Sequence, residues 1–400
     1  MKAGIFFLVL AYVFSQFYRS FLAVLTPVLG ADIGTTPGDL SFASGLWFVV
    51  FAAMQVPVGW ALDRVGPRLT AAALFGVGGC LGTAVFAMAT GPWSVSVAMV
   101  LYGIACSPVL MASYYIFVRA FPPAVFATLG GAVIGFGSLG NLASTAPLAM
   151  LVDGIGWRAT MWWLGLATLI VAVAIAVFVR DPERQERDQG QTGGFWSLLT
   201  DWRMLLIAPI LLFNYAPSAG IRGLWAGPYL EHVFGADALG IGRATLVMAL
   251  AMTVGSFVLG PMERYFGSSR KVIVVCAIMG AGALFYLWSH PGASILASMV
   301  AMAVIGFVGA SNPVLVSHGR EFIPAHLTGR GLTLLNLFSM GGVGLMQFVT
   351  SRYSHGVSAE MRGLPEFYGN IFLIFGCALV AGLLLYLFCP ERRYRTEVVG

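Results

Sequence analysis

The sequence predicts an all-α membrane protein with twelve transmembrane helices in two pseudo-symmetric six-helix bundles. Three observations lead there. The chain is 58% hydrophobic and 10% charged, with a mean hydropathy of +0.86, whereas a soluble protein carries ~25% charged residues. So much apolar surface needs lipid as its solvent. The apolar residues fall into twelve runs, each near the ~20 residues that cross a bilayer as a helix. The two halves also resemble each other at an offset of about 200 residues, as in transporters built from parallel repeats. Fifty glycines suit helices that pack closely in a membrane.

The first run covers residues 4–29 and is interrupted by Arg19. The next five lie near 41–61, 70–90, 94–118, 124–149 and 158–179. A polar stretch then runs from Arg180 to Arg203. Beyond it come 204–229, 242–262, 272–289, 294–317, 330–351 and 367–389. The expected domains are an N-terminal bundle over 1–179, a cytoplasmic linker over 180–203 and a C-terminal bundle over 204–400. With the N-terminus inside, sixteen Lys and Arg fall in cytoplasmic segments, four on the opposite side and two within the membrane. Positive residues stay inside, so both termini are expected in the cytoplasm, with the protein in the inner (plasma) membrane of a bacterium. The first run continues too far, and lacks the small-residue site, for a cleavable signal.

The two arginines within the membrane are Arg19 and Arg222. A charge at the bilayer centre costs from ~2.5 to over ~10 kcal/mol, so it faces protein or a watery cavity and marks function. No Asp or Glu stands at comparable depth. Two buried cations without a protein counter-charge point to an anionic ligand. Residues three, four and seven apart share a helix face. The face of Arg19 carries Tyr12, Ser15 and Gln16, with Tyr18 beside it; that of Arg222 carries Asn214, Tyr215, Ser218 and Trp225. A guanidinium fork matches carboxylate or phosphate oxygens two at a time, and Tyr and Trp add donors and apolar walls. Arg19 lies about 15 residues, or ~20 Å, from the start of its run, a long way to snorkel; Arg222 is nearer its outer end. Tyr114, Tyr115, Asn141, Asn312, Asn336 and Gln347 are further polar residues at membrane depth, open either to substrate or to helix–helix hydrogen bonding.

The repeat has its own motifs. Gly59-x-x-x-Asp63-Arg64-x-Gly66-x-Arg68 recurs loosely as Glu263-Arg264-x-x-Gly267-x-x-Arg270-Lys271, and Arg119-Ala-Phe-Pro122 as Arg320-Glu-Phe-Ile-Pro324. The first of these resembles the signature loop of the major facilitator superfamily, and the Gly156-Trp157-Arg158 turn agrees with it. The resemblance implies a central cleft between rocking halves, with Asp63, Arg64, Arg68, Glu263 and Arg264 gating its cytoplasmic side. On physical grounds alone these charges are also topology anchors. Tyr18-Arg19-Ser20-Phe21 with Pro27 is similar to the first helix of the organophosphate:phosphate antiporters, where paired arginines grip a phosphate. The spacing from Arg222 to Pro228 is shorter than that from Arg19 to Pro27, so carboxylate or sulfonate suits the same fork.

The reading is a transporter, not an enzyme, moving a small organic anion by alternating access. Exchange or uniport is expected, because Glu231, His232, His318, His355 and the other acids and histidines read as peripheral. The rivals are an efflux transporter of hydrophobic or neutral compounds, a copper importer using Met248 and Met252, and a membrane sensor. Met99 stands where many proton:drug antiporters of the superfamily carry Arg, which speaks against the first. No phosphate loop or metal-ligand spacing occurs, so no cofactor and no metal are expected. The net charge of +5 sits in short loops and predicts no nucleic acid. A monomer in the lipid bilayer, with a small anionic substrate as its partner, completes the expectation.

Overall fold

The computed structural model describes residues 2–121, 123–182, 200–323 and 328–390, without the side chains of 2, 123–128, 131, 263–264 and 328–330. Most of the expected linker, residues 183–199, lies outside the described residues. Among the described residues ten helices are long and apolar enough to cross a membrane, and two bent pairs, each counted as one span, bring the number to twelve. In chain order these are α1 (Ala3–Tyr18 with Leu22–Ile33), α2 (Pro37–Arg64), α3 (Pro67–Ala87), α4 (Pro92–Ala120), α5 (Ala132–Ala143 with Ala146–Ile155) and α6 (Trp157–Phe178). The second half follows as α7 (Trp202–Phe234), α8 (Ala238–Phe266), α9 (Ser269–Ser289), α10 (Ile295–Arg320), α11 (Thr328–Gly356) and α12 (Pro365–Tyr386). No strand occurs among the described residues.

Local chemistry sets these boundaries. Pro opens α2, α3, α4 and α12 at the first helical turn, where its missing N–H is not needed. Thr36 and Asp39 close a capping box at the start of α2, and Asp201, Asp237 and Ser268 cap α7, α8 and α9. The backbone repeats across the halves. α1 ends on Gly34 at φ 67° and α7 on Gly235 at φ 65°, left-handed stops that glycine adopts without strain. Arg19 and Arg222 occupy the same element of each half.

The two arginine helices are irregular at these residues. α1 bends by 52° across Arg19–Phe21. There Ser20 Oγ donates to the Gln16 carbonyl at 3.1 Å, a local bond that competes with the helix ladder. α5 bends by 42° at Ser144–Thr145, where both hydroxyls donate to their own helix's carbonyls. The two breaks face each other and are joined by the Ser20–Ser144 hydroxyl pair at 2.7 Å. α7 turns at Tyr215, ahead of Pro217, and then widens into a π turn over Ile221–Trp225. Such turns recur at functional sites, although α3 carries another at Leu74–Gly78.

The halves meet where α5 packs on α8, with a Cβ on Gly242 falling 2.9 Å from Ala146 Cα, and along two further seams. The second part of α1 crosses α7 so closely that a Cβ on Gly227 would overlap the Ala23 carbonyl. α2 packs on α11 through small residues: a Cβ on Gly45 would lie 3.2 Å from the Gly344 carbonyl and 2.7 Å from the Phe348 ring. Ser41 Oγ donates to the Gln347 carbonyl at 2.8 Å, and Ser351 Oγ to that of Gly38 at 2.8 Å. This second seam reaches the ends of both helices on the face away from the basic loops.

Candidate functional site

The folding of α1 onto α7 brings Arg19 and Arg222 together across the two halves. A Cβ on Gly223, next to Arg222, would stand 3.3 Å from the Arg19 carbonyl. The two guanidinium groups lie within electrostatic range of each other, and Tyr215 lies close to Arg222. Tyr12 of α1 is within the same range of both Arg19 and Tyr215. The cluster is therefore two cations flanked by two phenols, contributed by both halves.

The two cations are held differently. Arg222 is 1% exposed, and its Nε and both Nη atoms have no hydrogen-bond acceptor. Arg19 is half-buried. Its guanidinium carbon lies 5.3 Å from the centre of the Trp47 ring, 5.7 Å from Phe51 and 6.0 Å from Phe48, all from α2. Those rings offer cation–π attraction and leave the outer nitrogens free to face a ligand. Among the described residues no carboxylate pairs with either arginine. Each buried donor without an acceptor costs ~1–3 kcal/mol, and more when charged.

The other expected site residues divide. Tyr12 is buried and accepts from Gln16 Nε2 at 3.3 Å, while Gln16 Oε1 is buried without a partner. Both belong beside Arg19. Asn336 is half-buried on α11. Tyr18 turns away: it stacks on Tyr102 at 4.2 Å and its hydroxyl pairs with Thr168 Oγ1 at 2.8 Å, inside the first bundle. Trp225 is fully buried and donates Nε1 to Gln347 Oε1 and Thr350 Oγ1, both at 3.1 Å. Asn141 accepts from Ser20 at 3.4 Å, and Asn214 donates to Ser311 at 3.0 Å; both stitch helices within their own half. Tyr115 lies under the Arg119 guanidinium, 3.5 Å from ring centre to carbon. Tyr18, the residue before Arg19, faces about 100° away from it on a regular helix, whereas the π turn at Trp225 takes that side chain off the face drawn at regular spacing. Met248 packs against Gly306, and Met252 accepts from Ser218 at 4.0 Å, so this methionine pair fills helix interfaces.

At the basic face, Asp63 and Arg64 are exposed, with Arg64 over the Trp60 ring at 5.1 Å. The side chains of Glu263 and Arg264 lie outside the described residues. Asp181 anchors the loop between α2 and α3. Its Oδ1 accepts the Arg68 backbone N–H at 2.8 Å, and its carboxylate fills the space a Cβ on Gly66, at φ 102°, would need. Sequence reading missed Asp181 because it opens the polar stretch and has no spacing to betray it. It also placed His318 at the periphery. The structure buries His318 between α10 and α12, with Nδ1 2.8 Å from the Tyr386 hydroxyl.

Comparison with known proteins gives the family and the fold. The family model of the Major Facilitator Superfamily matches residues 8–347. The chain belongs to that family. It is a membrane transporter and not an enzyme. The match is to the superfamily as a whole and does not single out the organophosphate branch. The chain is 23% identical to a probable sulfoacetate transporter, SauU, of Cupriavidus necator over 95% of this chain and 91% of that one. It is 25% identical to a D-galactonate transporter of Escherichia coli over 65% and 68%, and 21% identical to a quinolone resistance transporter of Acinetobacter baumannii over 98% and 95%. The crystal structure of a D-xylose-proton symporter shares the fold, with a TM-score of 0.76 at 13% identity over 98% of both chains.

Proposed function

We propose that this transporter carries a small organic anion, a carboxylate or sulfonate before a phosphate ester, gripped between Arg19 and Arg222. The carrying observation is Arg222, sealed from solvent with three nitrogens lacking an acceptor, beside a second cation from the other half. An anion bound there contacts both halves at once, which is what couples binding to their relative movement. The names of two relatives, a sulfoacetate and a D-galactonate transporter, support the same class. The basic loops are taken as cytoplasmic, in a bacterial inner membrane, with the first and second bundles over 1–179 and 204–400 and the protein acting as a monomer. Exchange or uniport is the mode proposed with it, in keeping with two arginines that no carboxylate pairs among the described residues. Asp63, Arg64, Arg68, Glu263 and Arg264 remain the proposed gating charges of the basic face.

The test is a thermal-shift screen of the purified protein with mono- and dicarboxylates, sulfonates and phosphate esters, followed by uptake into proteoliposomes. An anion at 100 times its Kd stabilises by ~2.7 kcal/mol. Stabilisation that is lost in both Arg19→Ala and Arg222→Ala supports the reading. Stabilisation confined to neutral compounds such as quinolones, and retained in both variants, overturns it. Uptake that needs a pH gradient and ignores a counter-substrate gradient sinks the exchange mechanism alone.

A further inference from the structure

The seam between α2 and α11 ends in a pair of titratable groups from opposite halves. His355 Nε2 lies 3.0 Å from Asp39 Oδ1. His355 Nδ1 lies 2.9 Å from the Ser351 carbonyl and 3.4 Å from Ser351 Oγ. A carbonyl oxygen only accepts, so Nδ1 carries a hydrogen. A neutral imidazole has one N–H, which would leave a bare nitrogen lone pair against the Asp39 carboxylate. Asp39 is itself fixed as an acceptor, since its Oδ2 takes the Thr36 backbone N–H at 2.9 Å and the Thr36 hydroxyl at 2.6 Å. The geometry satisfies every group when the imidazole carries both protons. Asp39 is the titratable group that α2 turns toward His355. On α11 itself Arg352, three residues earlier, is exposed. The segment that follows brings Glu360 and Arg362, the latter held on the Val357 carbonyl at 3.1 Å.

We propose that Asp39 and His355 form a proton-dependent latch that holds the two halves together on the face opposite the basic loops. Opening that face parts α2 from α11, and the pair breaks. The closed seam is therefore favoured when the imidazole carries both protons, and the preference is lost when it gives one up to the solution. The side chains are 45% and 24% exposed, so the proton exchanges with the solution on that face and salt weakens the pair. Acid on that side then slows the opening step, whatever the substrate is. The latch lies beyond the arginine cluster and stands or falls independently of the anion reading.

The seam is read directly by labelling. Ser44 is 2% exposed at the seam and accepts from Gln347 Nε2 at 3.3 Å. Ser44→Cys, in a background where the exposed Cys377 is replaced by Ala, reacts with a membrane-impermeant maleimide when the seam opens. The rate is measured in nanodiscs at pH 5.5 and pH 8 with His355 intact and with His355→Gln, which retains a donor but does not titrate. The intact chain is expected to label about two- to fivefold more slowly than the variant at pH 5.5, as for an exposed to half-buried ion pair, and at the same rate at pH 8. Asp39→Asn, a second route to the same loss, should also label faster than the intact chain at pH 5.5. A rate ratio that is the same at both pH values overturns the latch, as does an Asp39→Asn chain that labels like the intact one.

Discussion

Arg19 and Arg222 occupy corresponding places in the two halves, yet their surroundings differ. Arg19 sits at a break in α1, half-buried, with Trp47, Phe48 and Phe51 about its guanidinium. Arg222 sits in a π turn of α7, sealed, with no acceptor for any of its three nitrogens. The first cation is supported by its own bundle and remains reachable. The second is sealed in the protein interior, with Tyr215 as its close neighbour. The repeat thus supplied two equivalent positions, and the packing around each gave them different surroundings; under the proposed function Arg19 is the preformed contact and Arg222 the group whose need for an acceptor draws the halves together.

The sharpest way to break this comparison is to remove each charge while keeping the side chain's length. Arg222→Met is expected to reduce uptake of the anion identified by the screen by about 100-fold, the scale of losing a desolvated charge contact. Its melting temperature without ligand should hold or rise, because an unpaired buried charge is replaced by an apolar chain. Arg19→Met should also reduce uptake but should lower the melting temperature, since its aromatic support is lost. A fall in ligand-free stability for Arg222→Met would mean that Arg222 is held by a protein partner. The crossing that brings the two together is tested next. Gly227→Ala forces a Cβ onto the Ala23 carbonyl and should destabilise by ~1–3 kcal/mol. Gly223→Ala meets the Arg19 carbonyl at 3.3 Å and should change the unfolding midpoint far less. Equal effects in thermal unfolding would contradict the geometry of the crossing.

A smaller effect sharpens the support of Arg19. Trp47→Leu removes a cation–π partner worth ~0.5–2 kcal/mol, so KM should rise several-fold with kcat preserved. The same substitution in an Arg19→Met background should add little, which a double-mutant cycle on uptake measures. The smallest effect is expected for Trp225→Phe. It loses the bonds to Gln347 and Thr350 and should cost ~0.6 kcal/mol of stability, with KM unchanged. A raised KM there would return Trp225 to the substrate.

Much of this was legible along the chain, for identifiable reasons. A bilayer demands ~20 apolar residues per crossing, and the described spans fall on the runs read from the sequence, with α7 extending from 202 to 234 where 204–229 was expected. Arg19 and Arg222 were visible because charge is expensive in lipid. Residues whose role depends on which neighbour they meet were not. Tyr18 and Trp225 have the chemistry of site residues but are spent within their own bundles. Asp181 looked like an ordinary linker acid until the fold set it against Gly66.

The sequence by itself determined the class of solvent, the twelve crossings, the repeat and the two cations at membrane depth, since each follows from composition or from transfer energies that act on one segment at a time. Only the tertiary structure decided that α1 breaks at Ser20 opposite the break in α5, that a π turn rotates Trp225 onto Gln347, that Arg19 is supported while Arg222 is not, and that Asp39 meets His355 across 316 positions of chain. These depend on contacts between segments remote in sequence, and no local spacing encodes a contact whose partner is fixed only when the helices pack.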